Sequence, residues 1–139
     1  MSEVPDLRSF LADVQRDLPA QFRAIADEVP LDYTSTALTL ALERQGRRPI
    51  LFFDRIAGER GRLVANLFGS RDVMALALGI QTDTVIDRLG EKLDHLLPSC
   101  PAPSGPVQEV VWQGEEADLG RLPIPRHFIQ DAGPYITAG

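Results

Sequence analysis

His127 and Asp131 stand four residues apart, with Asp118 upstream, and a hard divalent ion is held by this kind of mixture of imidazole and carboxylates. Prolines surround the pair, so the spacing does not put both side chains on one helical face. One His and one Asp leave a coordination sphere incomplete, and His127 reads as an exposed or packing residue on an extended arm. His95, in Asp94-His-Leu-Leu97, falls at a helix end where partial positive charge suits the dipole, a structural role. The serines Ser70, Ser99 and Ser104 sit in a cap or a linker, and no Gly-x-Ser-x-Gly elbow exists. Cys100 lies between prolines with no base beside it, so it reads as a bland solvent-facing thiol. The carboxylates of Asp27-Glu28 and Glu115-Glu116 are sequence neighbours that diverge on regular structure, which makes them solvated faces. In Phe68-Gly69-Ser70-Arg71 a strand runs into a helix N-terminus, the geometry that accepts anions. It lacks the glycines of a Walker loop or dinucleotide fingerprint, and Ser70 as an ordinary N-cap explains it better. No self-sufficient catalytic set emerges.

Composition narrows the partners. The 139 residues are 44% hydrophobic and 24% charged, which fits one globular domain, alone or with an arm, and excludes global disorder. Nothing approaches the roughly 20 apolar residues of a membrane span. The opening MSEVPDLRSF has an early acid and no apolar core, so it is not a secretory signal. A single cysteine rules out an internal disulfide, and a cytoplasmic protein is the plain reading. The net charge is −6, so a nucleic-acid surface would need a local basic cluster. The candidates are Arg44, Arg47 and Arg48, or Arg55, Arg60 and Arg62. They are interleaved with acids and lack an aromatic platform, which argues against nucleic acid.

The elements that must carry these residues read as an α/β domain followed by a proline-rich arm. Asp6 caps a helix with Leu7, Phe10, Leu11, Val14 and Leu18 at helical spacing, closed by Pro19. Gln21–Ala26 is a short strand of weak alternation. A second helix runs from about Ser35 to Gln45 with Gly46 as its stop. Pro49–Phe53 and Leu63–Phe68 are two buried strands around the polar loop Gly58–Arg62. Ser70 opens a third helix, with Asp72 complementing the dipole and Gly79 ending it. Thr82–Leu97 is the strongest helix, with Val85, Ile86, Leu89, Leu93, Leu96 and Leu97 on one stripe. Beyond it, seven of the eleven prolines lie between Pro98 and Pro134, and helical periodicity ends. The organisation is therefore an α/β domain at 1–97, a linker at 98–106, and a strand at Val107–Trp112 leading into an extended arm at 107–139. Tyr135, Ile136 and Thr137 have strand character, and a strand cut off there suggests a fragment, a split subunit or a truncation.

Three ordered stretches resemble the N-terminal region of the UbiD-type decarboxylases, which use prenylated flavin mononucleotide. Asp6-Leu-Arg-Ser-Phe-Leu11 resembles the opening DLRxFL. Asn66-Leu-Phe-Gly-Ser-Arg71 with Ala75-Leu-Ala-Leu-Gly79 resembles NLFGxRxxxxxALG. Pro106-Val-Gln-Glu-Val-Val111, Asp118-Leu119, Leu122-Pro-Ile-Pro125 and Asp131-Ala-Gly-Pro-Tyr-Ile-Thr137 resemble the most specific block, PVQEVV…DL..LPIP…DxGPYIT.

The resemblance implies a UbiD-type N-terminal α/β domain whose arm enters a split-barrel flavin-binding domain not contained in this sequence. It implies reversible non-oxidative decarboxylation of an aromatic or α,β-unsaturated acid, with the flavin as electron sink. It also implies prenylated FMN, Mn2+ and K+ in a homo-oligomeric full enzyme. The family's metal ligands and acid–base residues lie beyond the GPYIT strand, so none maps here; Tyr135 and Thr137 would stand at the edge of the flavin domain. The expected role is packing against the rest of the decarboxylase, with no activity alone. The rival readings are a non-catalytic small subunit that assembles or regulates a larger decarboxylase, and an unrelated binding module.

Overall fold

The computed structural model describes residues 6–58, 61–96, 98–99, 101, 103–105 and 108–136. The chain opens with α1 (Leu7–Asp17), whose N-terminus is closed reciprocally. The Asp6 carboxylate accepts the Ser9 N–H at 2.8 Å, while the Ser9 hydroxyl oxygen accepts the Asp6 N–H at 3.1 Å. The strand β1 (Phe22–Val29), the helix α2 (Thr34–Glu43) and the strand β2 (Ile50–Ile56) follow as a β-α-β unit with parallel strands. A loop leads to β3 (Leu63–Ala65), antiparallel to β2, so the sheet order is β1-β2-β3 with β2 in the centre. Two more helices, α3 (Arg71–Leu78) and α4 (Val85–Leu93), complete the domain.

The centre of the sheet is buried because β2 carries apolar side chains toward both faces. Ile50 joins Leu11 and Val14 of α1 and Val73 of α3 on one face. Leu51, Phe53 and Ile56 join Leu42 of α2 on the other. Helices thus cover both sides of a three-stranded sheet, the α/β architecture read from the sequence.

Several elements differ from their sequence reading, each for a physical reason. β1 extends three residues past Ala26, since pairing with β2 supplies the order its own weak alternation lacks. Its register shifts between Ile25 and Glu28, inserting one extra residue. The Ala26 carbonyl there accepts from Arg55 Nε and Nη2 at 3.0 and 2.9 Å. β3 stops at Ala65, because Asn66 turns into the left-handed region at φ +57°. It is half-buried rather than buried. The fourth helix is shorter than Thr82–Leu97: Thr82–Thr84 form a 3-10 turn and α4 ends at Leu93, with Leu97 outside the described residues. Gln108–Trp112 form no strand, and Tyr135 and Ile136 stand outside any strand; Val107 and Thr137 fall outside the described residues. Among the described residues no helix is long and apolar enough to cross a membrane.

The cap of α1 gives a pH prediction. The Ser9 N–H holds the Asp6 carboxyl below the ordinary aspartate range. A carboxyl pKa depressed by folding stabilises the fold above its unfolded value and stops doing so as pH falls through the folded value. Asp6→Asn keeps the capping oxygen and removes the charge. The stability difference between wild type and Asp6→Asn is expected to be constant above about pH 5 and to shrink as pH falls through and below the ordinary aspartate range, as acid-unfolding curves of the pair would show.

Candidate functional site: the seat of the arm

The proline-rich arm folds back onto α2 and β3, bringing together residues nearly a hundred positions apart. Tyr33, at φ +63°, forms the N-cap of α2 without a side-chain capping bond. Its N–H donates to the Arg126 carbonyl at 2.7 Å, so the arm supplies the acceptor. The Arg126 guanidinium lies 5.7 Å from the centre of the Tyr33 ring, a cation–π approach. One turn into α2, the Thr36 hydroxyl stands 2.9 Å from His127 Nδ1, a hydrogen bond whose direction follows the imidazole tautomer. The same imidazole and the Tyr135 ring meet in a T-shaped arrangement, their centres 5.1 Å apart. Further back along the arm, Pro123 lies against Gly61, where an added Cβ would come within 3.1 Å of the proline ring.

Within the arm a tight turn fixes His127. Asp131 Oδ2 accepts the N–H groups of His127 and Phe128 at 3.2 and 2.7 Å. Arg126 Nη2 donates to the carbonyls of Ile129 and Asp131 at 2.8 and 2.6 Å, while the buried Arg126 Nε has no acceptor among the described residues. The Tyr135 N–H closes the loop on the Pro125 carbonyl at 3.4 Å. His127 and Asp131 are therefore together, but through backbone amides: the carboxylate caps a turn and does not face the ring. Asp131→Ala strips the acceptor from two N–H groups. Amide exchange at His127 and Phe128 is expected to rise about tenfold, as for losing a charge-assisted bond of about 1.5 kcal/mol; unchanged exchange by NMR would place the restraint elsewhere.

Between this turn, α2 and β3 lies an open cavity of about 310 Å3, bordered by Thr36, Thr39, Val64, Asn66, Pro125 and His127. It carries hydroxyls, an amide and an imidazole, and among the described residues no Lys or Arg to meet a phosphate. Among the described residues no group of three or more His, Cys, Asp or Glu could share a metal ion. Asp131 Oδ2 already accepts two N–H groups and His127 Nδ1 is engaged by Thr36. This donor set fits neither a manganese site nor a flavin phosphate cradle.

The remaining candidates do not converge. The Ser70 oxygen accepts the Val73 N–H at 3.4 Å, and Asp72 in the same first turn is bonded by Thr82 at 2.9 Å. A negative group thus already occupies the start of α3, the N-cap role read for Ser70. His95 is exposed just past α4, its N–H donating to the Lys92 carbonyl at 3.2 Å. Ser99 and Ser104 are exposed, as are Asp27, Glu28, Glu115 and Glu116. Cys100 lies outside the described residues. Of the basic clusters, Arg48 pairs with Glu43, Arg62 with Asp54, and Arg55 with the Ala26 carbonyl; Arg60 lies outside the described residues. Tyr33, Thr36 and Arg126 escaped the sequence reading, since no local pattern announces a contact spanning that distance. Asn66 had a signal, as Asn before a glycine-bearing turn favours the left-handed region.

The residues 19–93 match the 3-octaprenyl-4-hydroxybenzoate carboxy-lyase N-terminal domain, and 100–139 match the Rift-related domain of the same carboxy-lyase. Anhydromevalonate phosphate decarboxylase of Methanosarcina mazei is 35% identical over 101 residues, which is 70% of this chain and 22% of that protein. An evolved dimeric form of the UbiD-class enzyme HmfF from Pelotomaculum thermopropionicum, in complex with prFMN, superposes with a TM-score of 0.77 at 31% identity. The overlap covers 95% of this chain and 30% of that one. Vanillic acid decarboxylase of Sedimentibacter hydroxybenzoicus gives 0.77 at 28% identity, covering 98% and 30%. The chain thus spans less than a third of each.

Proposed function

The chain belongs to the UbiD family of carboxy-lyases, and from that premise we propose that it is the N-terminal scaffold of a decarboxylase acting on an aromatic or α,β-unsaturated carboxylic acid. It is organised as an α/β domain at 1–97, a linker at 98–106 and an arm at 107–139 that leads toward a flavin-bearing portion. Prenylated FMN, with Mn2+ and K+, is held by that portion, and the reacting groups come from there. The full enzyme is a cytoplasmic homo-oligomer. The observation that carries this reading is the closed bonding of the arm's turn. Of the most reactive-looking side chains of the seat, His127 is spent on holding the arm to α2, and Asp131 and Arg126 on closing the arm's own turn. A seat of this kind fixes where the arm leaves the domain, and Tyr135 with Thr137 would deliver it to the edge of the flavin fold.

The test is reconstitution. The purified 139-residue chain, incubated with prFMN, Mn2+ and K+ and desalted, is expected to retain no flavin absorbance and to release no CO2 from a panel of phenolic, heteroaromatic and acrylic acids. Retained flavin with turnover would overturn the scaffold reading.

A further inference from the structure

α4 is amphipathic in the plain geometric sense. At 100° per residue, Val85, Ile86, Leu89 and Leu93 fall within about 100° of arc, while Asp87, Arg88 and Glu91 lie away from it, and Leu96 follows just past the helix end. Val85 is fully buried and Leu89 is 37% exposed, whereas Ile86, Leu93 and Leu96 are 59%, 70% and 77% exposed. Singly exposed leucines are ordinary on protein surfaces, but several in line on one helix are not. Each of the other helices leaves only one large apolar residue exposed among the described residues, and each is less open than Ile86 or Leu93: Leu7 on α1, Leu40 on α2 and Leu78 on α3.

Resting on the function proposed above, we infer that the stripe Ile86-Leu89-Leu93-Leu96 is the surface on which an apolar face of the flavin-bearing portion docks. Three observations favour that occupant. The match to the family's N-terminal domain ends at residue 93, the last residue of α4, so this helix stands at the border with the rest of the enzyme. The chain covers only 30% of its solved neighbours, which leaves ample polypeptide to lie against it. Four side chains also offer far less than the roughly 800 Å2 per partner that stable association of separate chains takes. A covalently joined partner needs much less, because it is present at high effective concentration. This last point disfavours a second copy of the chain.

The experiment joins the chain at Gly139 to the part of Pelotomaculum HmfF that follows its matching region, and compares hydrogen exchange over residues 85–96 in the fusion and in the free chain. At least tenfold slower exchange is expected in the fusion, and Ile86→Glu with Leu93→Glu is expected to restore the fast rate. Unchanged exchange in a fusion that carries flavin absorbance would overturn the inference while leaving the proposed function intact. A protected α4 in a fusion without flavin would do the reverse. Protection in the free chain that grows with concentration would assign the stripe to a second copy. Should the fusion fail to fold, the free chain still decides. There the same two substitutions are expected to leave the melting temperature within about 2 °C, and a larger loss would mean that the chain itself covers the stripe.

Discussion

Replacing Phe53 by alanine is expected to lower the stability of the domain by about 3–5 kcal/mol, the cost of emptying a fully buried aromatic site. Phe53 has no exposed surface, sits on the central strand, and faces Ile25 of β1 and Leu63 of β3 in register. Its ring fills the space between the sheet and α2, next to Leu42 and Leu51. The backbone around it is tied on both sides, so the cavity cannot collapse cheaply. A domain of this size has about 5–15 kcal/mol in total, so the variant should unfold at a much lower urea concentration. Phe53→Leu, which keeps most of the volume, should lose less than about 1.5 kcal/mol. A loss below about 1 kcal/mol for Phe53→Ala would mean that the α2 face of the sheet is not the core it appears in the geometry.

The second large effect is expected at Gly69. Asn66, in the left-handed region, turns its amide to donate to the Pro49 carbonyl at 3.0 Å, tying the end of β3 to the entry of β2. Gly69 lies directly over that side chain, and a Cβ there would overlap the Asn66 amide. Gly69→Ala must therefore displace Asn66 and forfeit its bond to a buried proline's carbonyl, at a cost of about 2–4 kcal/mol. In an Asn66→Gly background the left-handed turn is kept and the obstructing side chain is gone. The same Gly69→Ala change should then cost little, giving a coupling above about 1 kcal/mol by urea titration of the four proteins. Equal costs in both backgrounds would refute the overlap.

These two sites show what the residues alone make legible. The ends of α1 and α3 were readable because their determinants are local: Asp6 with Ser9 three residues on, Ser70 with Val73, and Gly79 at φ +64°. Gly46 after α2, at φ +73°, belongs to the same class. Pairing is not local. β1 owes its last residues to a strand nearly thirty positions away, and weak alternation could not foretell them. The stripe on α4 was visible as periodicity, yet periodicity does not say whether a partner is present, and most of that stripe faces solvent. The arm shows the same limit. Its prolines announced extension, but the bond from Tyr33 to Arg126 depends on where a chain with no period of its own comes to rest. The spacing of His127 and Asp131 suggests an incomplete pair of ligands, and their bonding in the folded chain makes them a structural turn.

The placement of the core bears on the order in which the molecule is made. Each buried apolar position among the described residues, from Leu11 to Val85, precedes the linker. A ribosome delivering this polypeptide releases a complete interior before Arg126 has been synthesised, and N-terminal units generally fold first during translation. Tyr33 must then wait for its acceptor, so the start of α2 is settled last although it was translated early. A pause before the arm emerges would leave a nearly finished domain with one loose corner, at the start of α2.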